Sequence, residues 1–263
     1  MPDTLSTDTT VALSGVVICC NEADRIGRCV TTLRRICREV IVLDSGSEDN
    51  TVAIARAAGA EVEHQEWLGF AGQKNIAISR ASQPWVLVLD ADEWLAPSAP
   101  GRIRALFESG EIDSADVWQL PRRTRFLGRT LQFGGWGNEW LPRLFRADCR
   151  YLPTRDNEQL DMRGKRRRRI KARIDHDTAR SLSEYRAKLD RYAHLFARQK
   201  HSLGRDAVWL DPTLHAVAYW LKNYILRGGF LDGRAGYLYH ASHALYVYRK
   251  YARLYALRDI DER

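Results

Sequence analysis

The sequence lacks the features that would place a chain within a membrane or in an oxidising compartment. It has no run of about 20 apolar residues, the length that a membrane-spanning helix needs. Its first ten residues, MPDTLSTDTT, lack the basic and then apolar order of a signal peptide. The five cysteines are an odd number, include no CxxC pair and lie in apolar segments. We therefore expect a cytoplasmic protein with free, buried thiols.

Several motifs that would mark a known kind of site are also missing. No GxGxxG and no GxxxxGK[ST] follows a strand, which argues against dinucleotide dehydrogenases and P-loop enzymes. The seven histidines show no HExxH or comparable spacing, so we expect no zinc site. A nucleotide bound by this chain would have to be held by other groups, such as carboxylates and a metal ion.

What the chain does contain is ample apolar material and an excess of positive charge. With 45% hydrophobic and 28% charged residues, its 263 residues can form one large domain, alone or with a small appendage. The net charge of +8 suits an anionic partner such as a nucleotide, a membrane surface or a nucleic acid. The basic run RGKRRRRIKAR at 163–173 has no interleaved aromatic residues. We read it as a solvated loop near anionic lipid and expect no nucleic-acid partner.

The first ninety residues alternate between apolar strands and amphipathic helices. We expect strands at 11–20, 39–44, 60–64 and 85–89, and helices at 24–37, 51–59 and 69–80. This order is typical of an α/β fold with a mostly parallel, doubly wound sheet.

Beyond residue 92 the alternation stops. A helix is expected at 98–107, short strands at 117–123, 130–135 and 141–146, and helices at 183–201, 213–227 and 235–258. The sequence therefore predicts an α/β domain over 11–178 and a helical region over 179–263.

An acidic turn follows the most apolar strand. The run WVLVL at 85–89 has the composition of a strand buried on both faces, and DADE at 90–93 follows it. Side chains two apart on an extended segment point the same way, so Asp90 and Asp92 can converge on one ligand beyond the carboxyl end of the sheet. Such oxygen ligands favour Mg²⁺ or Mn²⁺. The pattern predicts half of a metal site, to be completed by nucleotide phosphates; the alternative is an exposed acidic turn.

A second strand also ends in an aspartate, Asp44, before the turn SGSEDN. Taken alone, Asp44 could equally be a helix cap. The acidic end of the later strand favours a ligand-binding role for both.

Four short motifs resemble those of glycosyltransferase family 2. They are CNE at 20–22, VLDSGSEDNT at 42–51, GQKN at 72–75 and VLDADE at 88–93. The resemblance covers most of 12–255. It implies a GT-A fold, which is a Rossmann-like, mostly parallel sheet that binds nucleotide-diphospho-sugars, here with a C-terminal helical extension.

Three later segments resemble the branch of bacterial lipopolysaccharide inner-core β-1,4-glucosyltransferases. They are GGW at 134–136, RLFR at 143–146 and GFLDG at 229–233 with Gly236. This branch implies transfer of a hexose, glucose from UDP-glucose, onto a heptose of a lipid-anchored core oligosaccharide.

The resemblance also implies roles for single residues. Asp44 would hold the uracil or ribose, Asp90 the ribose, and Asp92 a Mg²⁺ or Mn²⁺ ion bound to the diphosphate. Further residues would line the nucleotide pocket (Asn21, Glu22, Lys74) or the acceptor site (Trp136, Arg143). Two alternatives stay open: Lys74 could be a solvated helix residue, and Trp136 could stack on a sugar ring or pack under a loop.

An inverting transferase needs a carboxylate that takes the proton from the acceptor hydroxyl. Related sequences tend to carry His-Glu after the RLFR segment, where this chain has DNE at 156–158. We therefore expect Glu158 to be the base, with Glu139 and Asp156 in reserve.

The C-terminal helices allow two interpretations. One stripe of the last helix could lie on an anionic membrane surface or pack on the α/β core: Tyr237, Ala241, Leu245, Tyr248, Ala252 and Tyr255. Tyr219, Trp220 and Tyr224 would also suit a membrane interface. We expect a peripheral protein on the inner face of the cytoplasmic membrane. Transfer to a polyprenyl phosphate or another glycan is the alternative reaction. If the chain is not an enzyme, the alternative is a non-catalytic scaffold that binds a membrane or a nucleic acid.

Overall fold

The computed structural model describes residues 10–136, 139–153, 158–179 and 181–261. Contacts divide the chain into two compact units. The first comprises Met1–Arg122 and Glu139–His176, and the second comprises Arg123–Asn138 and Asp177–Arg263. The segment 123–138 thus groups with the C-terminal helices, although it lies between strands in the sequence.

The predicted alternation of strands and helices is confirmed. In chain order the elements are β1 (Val11–Cys19), α1 (Ala23–Arg34), β2 (Cys37–Asp44), α2 (Thr51–Ala57), β3 (Glu61–His64), α3 (Gly69–Ser79), β4 (Trp85–Asp90), β5 (Glu93–Leu95), α4 (Ala99–Glu108), β6 (Val117–Phe126), β7 (Arg129–Thr130), β8 (Glu139–Arg146), β9 (Tyr151–Pro153), β10 (Glu158–Leu160), β11 (Arg167–Arg169), β12 (Ile174–Asp177), α5 (Leu182–His201), α6 (Asp211–Trp220) and α7 (Gly233–Asp261).

The main sheet has the order β3-β2-β1-β4-β8-β6-β12-β5. Strands β3, β2, β1 and β4 run parallel, and β8 pairs antiparallel with β4. Helices cover both faces, so the inner strands β1 and β4 are apolar over most of their length, whereas the edge strand β3 has the sequence EVEH and is largely exposed. On β4, Leu87 and Leu89 face the core that α1 covers, whereas Val86 and Val88 face the core that α3 covers.

Three segments differ from the sequence-based expectation. Residues 167–169 of the basic run form strand β11, which pairs in parallel with β6, so the run is not wholly a loop. The strand expected at 130–135 shrinks to the two residues of β7. The helix expected at 213–227 ends as α6 at Trp220, and a π-helical turn, Leu221–Leu226, follows it.

The second unit has its own apolar core. Tyr185 of α5 and Tyr239 of α7 pack around Phe126, and the ring centres of Phe126 and Tyr239 are 5.3 Å apart. A Cβ atom on Gly236 would lie 2.2 Å from the carbonyl oxygen of Gly229, so α7 can approach that turn only with glycine at this position. Within the described residues, no helix has the length and apolarity that crossing a membrane requires.

Candidate active site

The carboxyl ends of three neighbouring strands meet at one edge of the sheet. Cys19 at the end of β1 lies beside Asp44, the last residue of β2. Ile18 of β1 lies beside Asp90, the last residue of β4. The two aspartates therefore flank β1 at the edge where open α/β sheets bind their ligands.

Asp90 lies between two basic side chains. Its Oδ1 is 2.7 Å from Nζ of Lys74 on α3, and its Oδ2 is 2.7 Å from Nη2 of Arg143 on β8. Burial opposes the ionisation of this carboxyl group, but the charges of Arg143 and Lys74 outweigh it and hold the pKa of Asp90 well below its usual range. Asp90 is therefore ionised at neutral pH, with a protein cation on each oxygen.

Lys74 is buried, which rules out the alternative of a solvated helix residue. Its side chain is 1% exposed, and its Nζ is also 2.5 Å from Oε1 of Glu158. Burial and the nearby Arg143 lower the pKa of Lys74, but Asp90, Tyr151 and Glu158 raise it above its usual range. The ammonium group thus joins a strand-end aspartate to the predicted base.

Glu93 extends this set of charges across further strands. It is fully buried, and its Oε1 is 2.8 Å from Nη2 of Arg143 and 3.2 Å from Nη1 of Arg122. Arg122 in turn holds Glu139, with Nη2 and Oε2 2.6 Å apart. Opposite charges therefore alternate through the site, which avoids the cost of an unpaired buried charge. We call this set the charged cluster: Lys74, Asp90, Glu93, Arg122, Glu139, Arg143 and Glu158.

The GQKN motif on α3 fastens three segments around Lys74. Gln73 Nε2 donates to Ser45 Oγ and to the carbonyl oxygen of Gln65, at 2.8 Å each. Asn75 binds the backbone of Tyr151 twice, donating to its oxygen and accepting from its nitrogen, at 2.8 Å each. The side-chain amides of Gln73 and Asn75 thus hold the loops at Ser45 and Gln65 and the start of β9 beside Lys74.

Asp92 has different partners from Asp90. Its Oδ2 is 3.5 Å from Nη1 of Arg25 on α1 and 3.2 Å from Nε2 of His176 on β12. Strand β4 ends at Asp90 and the next two residues form a turn, so the two-residue alternation does not continue to Asp92. We expected both carboxylates to point the same way because they would share one extended strand. That reason is wrong, since Asp92 lies in the turn.

The donor set around Asp92 is compatible with a divalent ion that takes most of its ligands from a substrate. A carboxylate and an imidazole lie together here, and the described residues hold no group of three or more His, Cys, Asp or Glu that could bind a metal. Mg²⁺ commonly binds through one or two protein carboxylates and completes its shell with phosphates and water. Asp92 can supply such a carboxylate, with the imidazole of His176 beside it.

Asp44 organises the loop that follows β2. Its Oδ2 accepts hydrogen bonds from the backbone nitrogens of Gly46 at 3.0 Å and Ser47 at 2.9 Å, and its Oδ1 accepts from the Ser47 hydroxyl at 2.5 Å. Burial raises the pKa of Asp44, but these hydrogen bonds outweigh it and lower the pKa. These bonds form a turn directly after β2 and do not cap α2, whose N-cap residue is Asn50, so the helix-cap alternative is wrong. Contact with a uridine stays a prediction.

The CNE motif joins the loops after β1 and β2. Asn21 has a left-handed backbone with φ of 56°, which asparagine tolerates better than most residues. Its Oδ1 accepts from the backbone nitrogen of Glu48 at 2.9 Å, and the backbone nitrogen of Glu22 donates to Thr51 Oγ1 at 2.7 Å. Glu22 Oε2 lies 3.6 Å from Nε of Arg25. These contacts fix the rim on which the predicted nucleotide pocket depends.

The two predicted acceptor residues lie in different settings. Arg143 is buried in the charged cluster, where it neutralises Asp90 and Glu93. Trp136 belongs to the second unit and packs edge-on against Tyr239 of helix α7, with ring centres 5.3 Å apart, rather than under a loop. A role in acceptor binding stays a prediction for both. Asp156, the reserve base, lies outside the described residues.

Sequence reasoning gave no role to four side chains of this site: Arg25, Glu93, Arg122 and His176. Glu93 stands inside a quoted motif, and its place directly after a buried strand was the available signal. The other three are single charged or polar residues with no motif around them. They reach the site only through the pairing of distant elements, which residue spacing does not reveal.

Comparison with known proteins agrees with this architecture. The family model described as "Glycosyl transferase family 2" matches residues 14–189. The lipopolysaccharide core biosynthesis glycosyltransferase LpsC of Rhizobium meliloti (strain 1021) is 28% identical over 258 residues, covering 95% of this chain and 94% of that protein. An uncharacterised glycosyltransferase of Rickettsia conorii is 28% identical over 270 residues, covering 95% and 91%.

Among solved structures, S. aureus TarS 1-349 in complex with UDP is similar over 95% of this chain and 92% of that one, with 14% identity and a TM-score of 0.48. The match of the family model to most of the chain assigns the family, and the sheet described above is the GT-A sheet. The chain belongs to glycosyltransferase family 2 and is a glycosyltransferase with a GT-A fold.

Proposed function

We propose that this protein is a metal-dependent, inverting hexosyltransferase that moves glucose from UDP-glucose onto a heptose of the lipopolysaccharide inner core. One observation carries the proposal. Lys74 bridges the strand-end aspartate Asp90 and the carboxylate Glu158, and Asp92 lies two residues beyond Asp90. Asp90, which is suited to binding a sugar nucleotide, and Glu158, which is suited to activating an acceptor, therefore share one buried cation, Lys74.

Glu158 is the proposed base. Lys74 donates a hydrogen bond to Oε1 of Glu158. The other oxygen, Oε2, can accept the proton of an acceptor hydroxyl. As the hydroxyl oxygen attacks the anomeric carbon, that proton passes to Glu158 and the bond from the anomeric carbon to the diphosphate oxygen breaks. Glu139 is the alternative base, but Arg122 contacts its Oε2 through both Nε and Nη2.

The leaving UDP carries negative charge that the site has to neutralise. A Mg²⁺ or Mn²⁺ ion, held by Asp92 with His176 beside it, would act as a Lewis acid on the diphosphate. Arg25, whose Nη1 is 3.5 Å from Oδ2 of Asp92, would add to the neutralisation. Asn21, Glu22, Asp44 and Asp90 would line the pocket for the nucleotide.

The acceptor and the location rest on resemblance. LpsC is named for lipopolysaccharide core biosynthesis, and its likeness extends along nearly the whole chain. A lipid-anchored acceptor would bring the enzyme to the inner face of the cytoplasmic membrane, where a basic protein is attracted to anionic lipid. The enzyme would therefore be peripheral, with Trp136 and Arg143 as its proposed acceptor-binding residues.

Mass spectrometry of lipopolysaccharide from cells lacking this protein tests the proposal. We expect a core shorter by one hexose and by everything attached beyond it. Wild-type protein restores the full core, and Asp92→Ala does not, although it accumulates in cells to the same level. A core of unchanged mass in the deletion strain contradicts the proposed acceptor, and full restoration by Asp92→Ala contradicts the metal site.

A further inference from the structure

An exposed apolar face runs along α6, beginning just before the helix and continuing into the π-helical turn Leu221–Leu226. Leu214 and Val217 are 59% and 51% exposed, although each is a residue that a folded chain usually buries. With Leu210, Leu221 and Ile225 they recur every three or four residues, which aligns them along one side of a helix. Trp209, which is 70% exposed, stands at the N-terminal end of the stripe. We call these six residues the α6 face.

The opposite side of α6 is already packed within the second unit. The ring of His215 stacks on Tyr251 of α7, with centres 4.0 Å apart. The hydroxyl of Tyr219 is 3.1 Å from Nδ1 of His240, also on α7. Seven residues separate Pro212, which is buried, from Tyr219, so both lie on one side of the helix. The helix therefore has a docked side, and its apolar side is turned away from α7.

Basic side chains flank the α6 face. Lys222 lies between Leu221 and Ile225 of this face, Arg227 and Arg234 follow it in the chain, and Arg205 precedes it. In the part of the chain that the structure describes, none of the four has a carboxylate within ion-pair distance. Their charge is therefore available to an external anion.

The basic run at 163–173 differs in this respect. Arg166 pairs with Asp116 at 3.0 Å, Arg168 with Glu111 at 3.1 Å, and Lys165 with Asp148 at 3.1 Å. Much of its charge is thus neutralised within the first unit. Our expectation that this run faces anionic lipid has less support than the four basic residues around the α6 face.

We infer that the α6 face docks on an anionic lipid bilayer, with α6 lying in the plane of the headgroups. An apolar stripe bordered by basic residues, with a tryptophan at one end, matches an interfacial helix. A second copy of the chain is the less suitable occupant, because a two-fold interface would set the same basic side chains against each other. The inference rests on the proposed peripheral location and names the surface responsible, but it does not depend on the identity of the sugar or acceptor.

Vesicle flotation with the full-length protein tests the inference. The probes are vesicles of phosphatidylglycerol and phosphatidylethanolamine, compared with vesicles of phosphatidylcholine alone. We expect the wild type to float with the anionic vesicles, and Leu214→Asp/Leu221→Asp to bind at least about tenfold more weakly. Leu195→Asp on α5 is the matched control, since Leu195 is 61% exposed, lies beside Asp190 and Arg253, and is not one of the residues of the α6 face. It should float like the wild type.

Two further measurements keep the outcome clear. Thermal unfolding and release of UDP from UDP-glucose, both without vesicles, show whether each variant is folded and competent. Hydrogen exchange on the wild type should slow over 210–226 when anionic vesicles are added. The inference is overturned if the double variant floats like the wild type, or if sedimentation shows a wild-type dimer that the double variant loses. If the wild type itself released no UDP from UDP-glucose, that result would instead count against the proposed function.

Discussion

The ammonium group of Lys74 and the carboxylate of Glu158, 84 residues apart in the chain, are joined at 2.5 Å beside the carboxyl edge of the sheet. The same ammonium group lies 2.7 Å from Asp90. The proposed base is thus held by the residue that also neutralises the proposed ribose-binding aspartate. A change at Lys74 should therefore disturb both halves of the site.

Replacing Lys74 with methionine should destabilise the protein strongly. The substitution keeps the length of the side chain but leaves Asp90 and Glu158 without their shared cation. Removal of one partner from a buried ion pair costs about 3–5 kcal/mol. Denaturant unfolding of Lys74→Met should show a loss of that order in the free energy of unfolding.

The control for this experiment is Lys165→Met. Lys165 pairs with Asp148 at 3.1 Å, but that aspartate is largely exposed. Exposed ion pairs contribute about 0–1 kcal/mol, so this variant should unfold nearly like the wild type. Equal losses in the two variants would show that the burial of Lys74 has no energetic consequence.

The two candidate bases can be separated by isosteric substitution. Glu158→Gln keeps the side-chain oxygen that accepts from Lys74 but cannot take up a proton, so we expect kcat to fall by about 10²-fold or more. Glu139→Gln should lower kcat by much less, since Arg122 contacts the Glu139 carboxylate through both Nε and Nη2. Single-turnover transfer from UDP-glucose measures both. The reverse order of effects would assign the base to Glu139.

The sequence predicts the α/β order well because its signals are local. Apolar runs such as WVLVL at 85–89 mark buried strands, and Asp44 and Asp90 mark the ends of two of them. The contacts of the charged cluster are not predictable in this way. Arg143 and Glu93 are 50 residues apart: Arg143 lies on β8, which pairs with β4, and Glu93 begins β5 just after β4.

Two further gaps have specific physical causes. The turn that begins after Asp90 breaks the alternation from which the direction of Asp92 was inferred. Trp136 groups with the C-terminal helices because its ring packs on Tyr239, about a hundred residues later in the chain. Neither feature can be predicted from the spacing of residues in the sequence: the strand ends within an acidic motif, and the aromatic contact joins distant parts of the chain.

Gly236 should tolerate no side chain. A Cβ atom there would lie 2.2 Å from the carbonyl oxygen of Gly229 and 2.8 Å from Cβ of Asp232. Because a backbone oxygen cannot move aside cheaply, Gly236→Ala should lower the free energy of unfolding by about 1–3 kcal/mol. Gly101→Ala is the matched control: Gly101 is also near the start of a helix, α4, but a Cβ there would meet nothing within 4 Å. The control should be stabilised by about 0.5–1 kcal/mol, as expected for alanine in place of glycine in a helix.

His243 should make the helical unit sensitive to acid. Its ring lies 4.6 Å from that of Tyr239, and its Nε2 is 2.5 Å from the hydroxyl of Tyr185. Burial lowers the pKa of His243 to about 3, with smaller contributions from His240 and Lys250. The unfolded chain has a pKa near 6.5. Between these values the unfolded chain binds a proton that the folded chain does not, so stability is lost as the pH falls below about 6.5.

The magnitude of this effect is at most about 1.4 kcal/mol per pH unit for one histidine. Other groups titrate in the same range, so the contribution of His243 is the difference between the wild type and His243→Gln. Glutamine offers an oxygen to the Tyr185 hydroxyl and does not titrate. We expect the melting temperature of the wild type to fall more steeply than that of the variant between pH 6.5 and pH 4.5, as about 1.4 kcal/mol per unit implies. Parallel curves for the two proteins would mean that the pKa of His243 is the same in the folded and the unfolded chain, so that its burial does not lower the pKa.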